Sequence, residues 1–234
     1  PQNQIDLIQN ISSTGKPIVL VLLNGSALAL NWENENIPAI VDAWYPGQAA
    51  GEAIASLLFG DYNPSGRLPV TFYKSVEDLP PFEDYAMTNR TYRYFQGDPL
   101  YPFGYGLSFT QFKYGNFIIE DVAQLGDTVK LSVEITNIGD QDGSEVTQVY
   151  VTNNRKDLHS DQPIRSLKAF EKTYLKAGET KTIHFKLTPD KFGFYDSEGA
   201  FNIEPGNFKI TIGGGQPGYH NPTTETISTE VDIL

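Results

Sequence analysis

Groups able to do chemistry are spread along the chain, and each constellation has to meet a spacing rule before it becomes a site. Asp140, Asp142 and Glu145 stand close together in NIGDQDGSE. A helix–loop–helix calcium site needs its oxygen ligands at fixed alternate positions and a closing glutamate at the twelfth. That pattern is missing, so a polar loop between strands is the expectation. Glu33 and Glu35 flank a turn and read as a solvated loop. His159, His184 and His220 sit on separate elements, whereas zinc requires several ligands to converge. Ser26 follows an apolar run in Asn24-Gly25-Ser26, but no G-x-S-x-G elbow surrounds it and no histidine is placed to serve it. The glycine-rich stretch from Gly213 to Gly218 follows a strand with no helix after it, which argues against a dinucleotide cradle. Asn10, Asn24 and Asn89 each begin an N-x-S/T triplet. Such triplets occur by chance, and Asn24 at a strand end is poorly accessible. Cysteine is absent, so thiolate catalysis, thiolate metal ligation and disulfides are excluded. No catalytic residue, metal site or cofactor is expected from these groups.

One group keeps a functional reading because of the elements that must position it. Residues 18–23 read IVLVLL, an apolar run bounded by Pro17 and Asn24-Gly25. Its length and β-branching predict a strand buried on both faces, as in a parallel sheet. Residues 39–45, AIVDAWY, have the same character. Ile5, Leu7, Ile8 and Ile11 predict a short amphipathic helix ended by Gly15. Ala50, Ala53, Ile54, Leu57 and Leu58 predict a helix over 49–59 ended by Gly60, and residues 68–73 read as one more strand. This alternation is a doubly wound α/β pattern. It is short for a domain, so an incomplete α/β sandwich with a mostly parallel sheet and further strands upstream is expected. Ligands of open α/β sheets bind beyond the carboxyl ends of the strands. Asn24, Trp44, Tyr45 and Gln48 fall there and are the candidate substrate-rim residues. A plain core role is the competing reading for Trp44.

Residues 75–89 are polar, contain Pro80-Pro81, and carry Glu77, Asp78, Glu83 and Asp84; they read as a surface loop. Residues 90–112 follow as RTYRYFQGDPLYPFGYGLSFTQF. Interleaved Gly and Pro exclude a helix or regular strand. A flexible linker would not carry this aromatic surface, since each ring buries roughly 150–250 Å² once partnered. An ordered connector is expected, with Arg90, Tyr92, Arg93, Tyr101, Phe103 and Tyr105 forming a seam between two domains. The arginines would hold it through carboxylates or by stacking on the rings.

From Asn116 the period becomes two. Val129, Leu131, Val133 and Ile135 alternate with Lys130, Ser132, Glu134 and Thr136. Further strands are predicted at 146–152, 180–187 and 206–212; residues 167–175 are mixed in pattern, 201–203 form a short apolar piece, and 223–234 adds an edge strand. Phe170, Tyr174, Phe185 and Phe208 read as core positions. The whole is a fibronectin type III-like, immunoglobulin-like β-sandwich. The fold class is therefore α/β plus all-β, with an α/β portion at 1–74, the connector at 75–112 and the β-sandwich at 113–234. A length of 234 residues suits one or two domains, and 39% hydrophobic with 20% charged residues is ordinary for a globular chain. The net charge of −12 argues against nucleic acid or an anionic membrane as partner. No apolar run reaches the length of a membrane span.

Long ordered stretches resemble family 3 of the glycoside hydrolases, the β-glucosidases and β-xylosidases. In the first part these are Pro1-Gln2-Asn3-Gln4, GKPIVLVLLNGSALAL, AWYPGQAAGEAIASLLFGDYNPSGRLPVTF and the aromatic connector. In the second they are VEITNIGDQDGSEVTQVYV, LKAFEKTYLKAGETKTIHFKL and EPGNFKITIGG, which look like the family's fibronectin type III-like domain. The resemblance implies a retaining, exo-acting β-glycosidase. Its aspartate nucleophile lies on an N-terminal (β/α)8 barrel, and its glutamate acid/base lies in a loop ahead of the Pro-x-x-Gln stretch. Both would fall outside this chain, leaving it structural support and no catalytic residue of its own. A β-glucoside or β-xyloside oligosaccharide would be engaged through that barrel, without a cofactor, in a periplasmic or secreted setting. The alternative is a non-catalytic carbohydrate-binding or adhesion module, which would present a row of exposed rings on one sheet face.

Overall fold

The computed structural model describes residues 2–120, 124–154, 162–196 and 198–233. Expectations resting on Pro1, His159, Ser197 or Leu234 lie outside the described residues. The chain forms two compact units, and neither is one continuous segment.

The first unit comprises residues 1–62, 72–78 and 98–100. It contains α1 (Gln2–Ser12), β1 (Val19–Leu22), α2 (Asn31–Asn36), β2 (Ala39–Asp42), α3 (Ala50–Leu58) and a 3₁₀ turn at Val76–Asp78. β1 and β2 pair in parallel, Val19 opposite Ala39 and Leu22 opposite Asp42. The expected strand buried on both faces is corrected here. Val19 is 48% exposed and the rest of β1 is half-buried. Two strands offer too little cover for both faces. The amphipathic helices α1 and α3 likewise bury none of their residues. The buried apolar residues of this unit are Leu30, Ile37 and Phe72, and Glu33 is buried with them. Glu33 and Glu35 thus lie on α2 rather than in a solvated loop.

The second unit comprises residues 63–71, 79–97 and 101–234. It contains the single-turn helix α4 (Thr91–Tyr94) and β3 (Phe112–Ile119), β4 (Val129–Asn137), β5 (Gly143–Asn153), β6 (Ser166–Leu175) and β7 (Thr180–Leu187). A 3₁₀ turn at Pro189–Phe192, the short hairpin β8 (Phe194–Tyr195) with β9 (Phe201–Asn202), then β10 (Gly206–Gly213) and β11 (Thr226–Ile233) complete it. The sandwich has sheets ordered β3-β4-β7 and β11-β10-β5-β6, with antiparallel pairing throughout. The alternation read from residues 129–135 is the inward face of β4, where Val129, Leu131, Val133 and Ile135 are at most 1% exposed. They pack in one core with Ile183, Phe185 and Leu187 of β7 and Phe208, Ile210 and Ile212 of β10. Phe170 and Tyr174 depart from the core expectation, at 68% and 51% exposure. β6 ends its sheet, and among the described residues no layer covers its outward face.

Residues 68–73 form no strand. Pro69 has no N–H to donate to a ladder. Within the second unit, Leu68 N–H donates to Tyr105 O at 2.8 Å and Leu68 O accepts from Gly104 N–H at 2.7 Å. The connector is therefore pinned to the 63–71 segment by backbone hydrogen bonds. Further on, Gln148 Nε2 donates to Gly104 O at 3.1 Å and Tyr150 OH donates to Gln148 Oε1 at 2.6 Å. These two residues face away from the sandwich core, so the connector covers the outer side of β5 and leaves that strand buried on both faces.

Candidate functional site

The carboxyl ends of β1 and β2 carry a small polar cluster. Asn24 Nδ2 donates to Ser26 O at 2.9 Å. Asp42 Oδ1 accepts the Trp44 N–H at 3.1 Å. Asp42 Oδ2 and Asn24 Oδ1 are buried and make no hydrogen bond among the described residues. Burial pushes the Asp42 carboxyl above its ordinary value, with the Trp44 N–H and Asn24 pulling the other way. Trp44 adopts φ of 50°, a left-handed conformation that costs a non-glycine residue energy and is held only where its surroundings impose it. Its ring is half-buried and meets Phe72 edge-on at 6.1 Å. Tyr45 is 79% exposed and lies over Gly25, where a Cβ would come within 2.7 Å of the ring. Gln48 is exposed. The structure thus brings Asn24, Trp44 and Tyr45 to one end of the sheet.

Asp42 escaped the sequence reading. The signal was there: a lone acid in the middle of AIVDAWY, where the run is otherwise apolar. As assembled, the cluster offers free acceptor lone pairs beside aromatic rings, a chemistry suited to holding hydroxyl groups. It supplies one carboxylate, whereas double-displacement glycoside hydrolysis takes two about 5–5.5 Å apart.

The connector residues fall into separate groups within the second unit. Tyr92 stacks on Phe103 at 4.1 Å and meets Tyr150 edge-on at 6.2 Å, and its hydroxyl accepts the Leu167 N–H at 3.0 Å. Tyr101 and Tyr105 stack at 5.5 Å. Arg90 donates to Pro81 O, Asp84 O and Ala86 O, tying its own loop together. Arg93 lies over the Tyr94 ring at 5.6 Å.

A second arrangement went unread because its partners lie far apart in sequence. Glu145 is fully buried, on the core side of β5. Arg67 Nη2 reaches its Oε2 at 2.5 Å, while Thr224 and the Tyr114 hydroxyl donate to Oε1 at 2.7 and 3.2 Å. Arg67 also donates to Gly66 O and Gly214 O. Burial pushes Glu145 up, opposed chiefly by Arg67. Every polar atom in this knot is satisfied from inside the unit, which marks it as structural. Asp142 sits apart, at the surface, accepting from the Tyr174 hydroxyl and the Ala177 N–H.

Comparison with known proteins agrees with the two-part reading. The family described as glycosyl hydrolase family 3 C-terminal domain matches residues 1–109, and the fibronectin type III-like domain matches residues 145–216. The chain is 44% identical to a xylan 1,4-β-xylosidase of Xylanibacter ruminicola, over 91% of this chain and 24% of that protein. It is 41% identical to a periplasmic β-glucosidase of Salmonella typhimurium, over 91% of this chain and 29% of that protein. A solved β-glucosidase from Listeria innocua, in complex with gluconolactone, superposes with a TM-score of 0.84 at 32% identity, covering 100% of this chain and 33% of that one. The chain thus spans about a quarter to a third of the length of these relatives.

Proposed function

Since the chain belongs to glycoside hydrolase family 3 and corresponds to its C-terminal domain followed by a fibronectin type III-like domain, we propose that it is the supporting part of a retaining, exo-acting β-glycosidase that removes terminal non-reducing β-linked glucose or xylose. The observation that carries this reading is the pairing of coverage: relatives named β-xylosidase and β-glucosidase match over 91% of this chain, which spans only 24% and 29% of them. The nucleophile and acid/base are assigned to the part of such an enzyme that this chain does not include, with Asn24, Asp42, Trp44 and Tyr45 at the rim of the sugar site. Leu7, Ile11, Val19 and Leu23, all exposed by 44% or more, support the reading as apolar surface that the rest of the enzyme would cover. A periplasmic or secreted setting belongs with it. Purified chain incubated with nitrophenyl β-glucoside and β-xyloside is expected to release no nitrophenol above the buffer blank. A rate proportional to the concentration of the chain would overturn the assignment.

The exposed rings of Phe170 and Tyr174 favour a second reading, a sugar-binding face on β6. Residues four apart on a strand share one face and stand roughly 14 Å apart at about 3.4 Å per residue. If the face binds sugar, electrophoresis through a gel containing xylan retards the native chain, and a Phe170→Ala/Tyr174→Ala double variant runs free while keeping its melting temperature. Equal mobility of the two removes this reading.

A further inference from the structure

Within the second unit lies a cavity of about 270 Å³. Tyr92, Arg93, Leu167, Lys168, Asp190 and Lys191 line it. We propose that this cavity is an oxyanion site, taking the carboxylate or phosphate group of a small ligand.

The first support is charge. Three cationic side chains face a single carboxylate there, in a chain whose net charge is −12. The carboxylate is already engaged: Asp190 accepts from the Thr188 hydroxyl and ion-pairs with Lys191 at 3.3 Å. Arg93 and Lys168 are left without a counter-ion among the described residues.

Unspent donors are the second support. Arg93 Nε is buried and makes no hydrogen bond among the described residues, although buried donors are nearly always paired. The Tyr92 hydroxyl accepts from Leu167 N–H, which leaves its own proton to give. Backbone shape is the third. The β5–β6 register places Val149 opposite Ala169 and Tyr150 opposite Leu167, so Lys168 is the extra residue of a bulge. A bulge re-aims the side chain it carries. Here that side chain is half-buried on the wall of the cavity.

Placing an ammonium there, beside two other cations, is costly. Burial, then Arg93, then Lys191 depress the Lys168 ammonium to about 8, with Asp190 acting in the opposite sense. An entering anion reverses that balance, so binding is tighter below this value and fades as the ammonium deprotonates above it.

The test is calorimetric titration of the full chain with sodium glucuronate, and separately with inorganic phosphate, using glucose as a neutral control. Saturable binding of either anion at pH 7 is expected, with none for glucose. Binding of glucuronate alone identifies a carboxylate site, and binding of phosphate alone identifies a phosphate site. Affinity should fall about tenfold in Lys168→Met and in Arg93→Gln, as expected when a charge-assisted hydrogen bond is lost. It should also fall severalfold in the native chain between pH 7 and pH 9.5. No saturable binding of either anion, equal binding of glucose, or an affinity indifferent to pH and to both substitutions would overturn the proposal.

Discussion

Replacing Arg67 with methionine is expected to destabilise the second unit by about 3–5 kcal/mol, because it strands a buried carboxylate without its cation. At this size that corresponds to a fall in melting temperature on the order of 10 °C. The ion pair is fully internal, with Arg67 and Glu145 side chains 5% and 0% exposed. Thr224 and Tyr114 would remain as donors to Glu145, but two hydroxyls do not neutralise a charge. The pH dependence identifies the cause. Burial already pushes the Glu145 carboxyl above its ordinary 4.5, and Arg67 is the largest opposing influence. Without Arg67 the folded state holds that proton more tightly than the unfolded chain does. A group raised on folding stabilises below its unfolded value and loses that stabilisation as pH climbs through its folded value. The deficit of Arg67→Met against the native chain should therefore widen as pH rises above the ordinary carboxylate range and narrow again as pH falls back into it. A deficit of constant size across that window would mean that lost packing, not stranded charge, is responsible. Glu145→Gln in the Arg67→Met background should restore part of the loss at neutral pH.

Gly214→Ala is the second substitution with a large expected effect. A Cβ at Gly214 would fall 1.8 Å from Glu145 Oε1 and 2.2 Å from Thr224 Oγ1. Neither atom can yield cheaply, because Thr224 donates to that same carboxylate oxygen and Arg67 holds the other. Overpacking of a filled interior costs about 1–3 kcal/mol, and the upper end is expected where the clash falls on a charged knot. Gly215 provides the control. A Cβ there meets nothing nearer than Gly104 O at 3.9 Å, so Gly215→Ala should melt within about 2 °C of the native chain. Comparable losses at the two neighbouring glycines would show that backbone freedom, rather than the carboxylate, sets the requirement.

The β-sandwich was legible because its strands report burial locally. Period-two alternation at residues 129–135 names the inward face of β4 without reference to any partner. The same rule could have exposed Glu145, since Glu145 shares a face of β5 with Thr147 and Val149, all fully buried. Its cation could not be found that way, because Arg67 lies in a loop whose residues carry no periodicity. Phe170 and Tyr174 show the complementary limit. Alternation places two rings on one face but does not say whether another layer covers it, and an edge strand left them bare. In the α/β part, IVLVLL and AIVDAWY identified a parallel pair correctly, while the depth of burial depends on neighbouring layers that the pair does not contain. At the candidate rim, strand ends pointed to Asn24, Trp44 and Tyr45, but the influence of Asn24 on Asp42 emerges only once β1 and β2 are side by side.

Arg67 precedes Glu145 by the whole of the aromatic connector and the first two strands of the sandwich. The fibronectin-like part is therefore not a cassette. A chain cut at residue 112 would inherit every strand and yet keep a charge in its interior with the neutralising group discarded. Its smallest self-sufficient version must reach back to residue 63, where the second unit begins. Transplanting this sandwich onto another protein, or exchanging it between relatives, has to carry the Asn63–Thr71 stretch along with it.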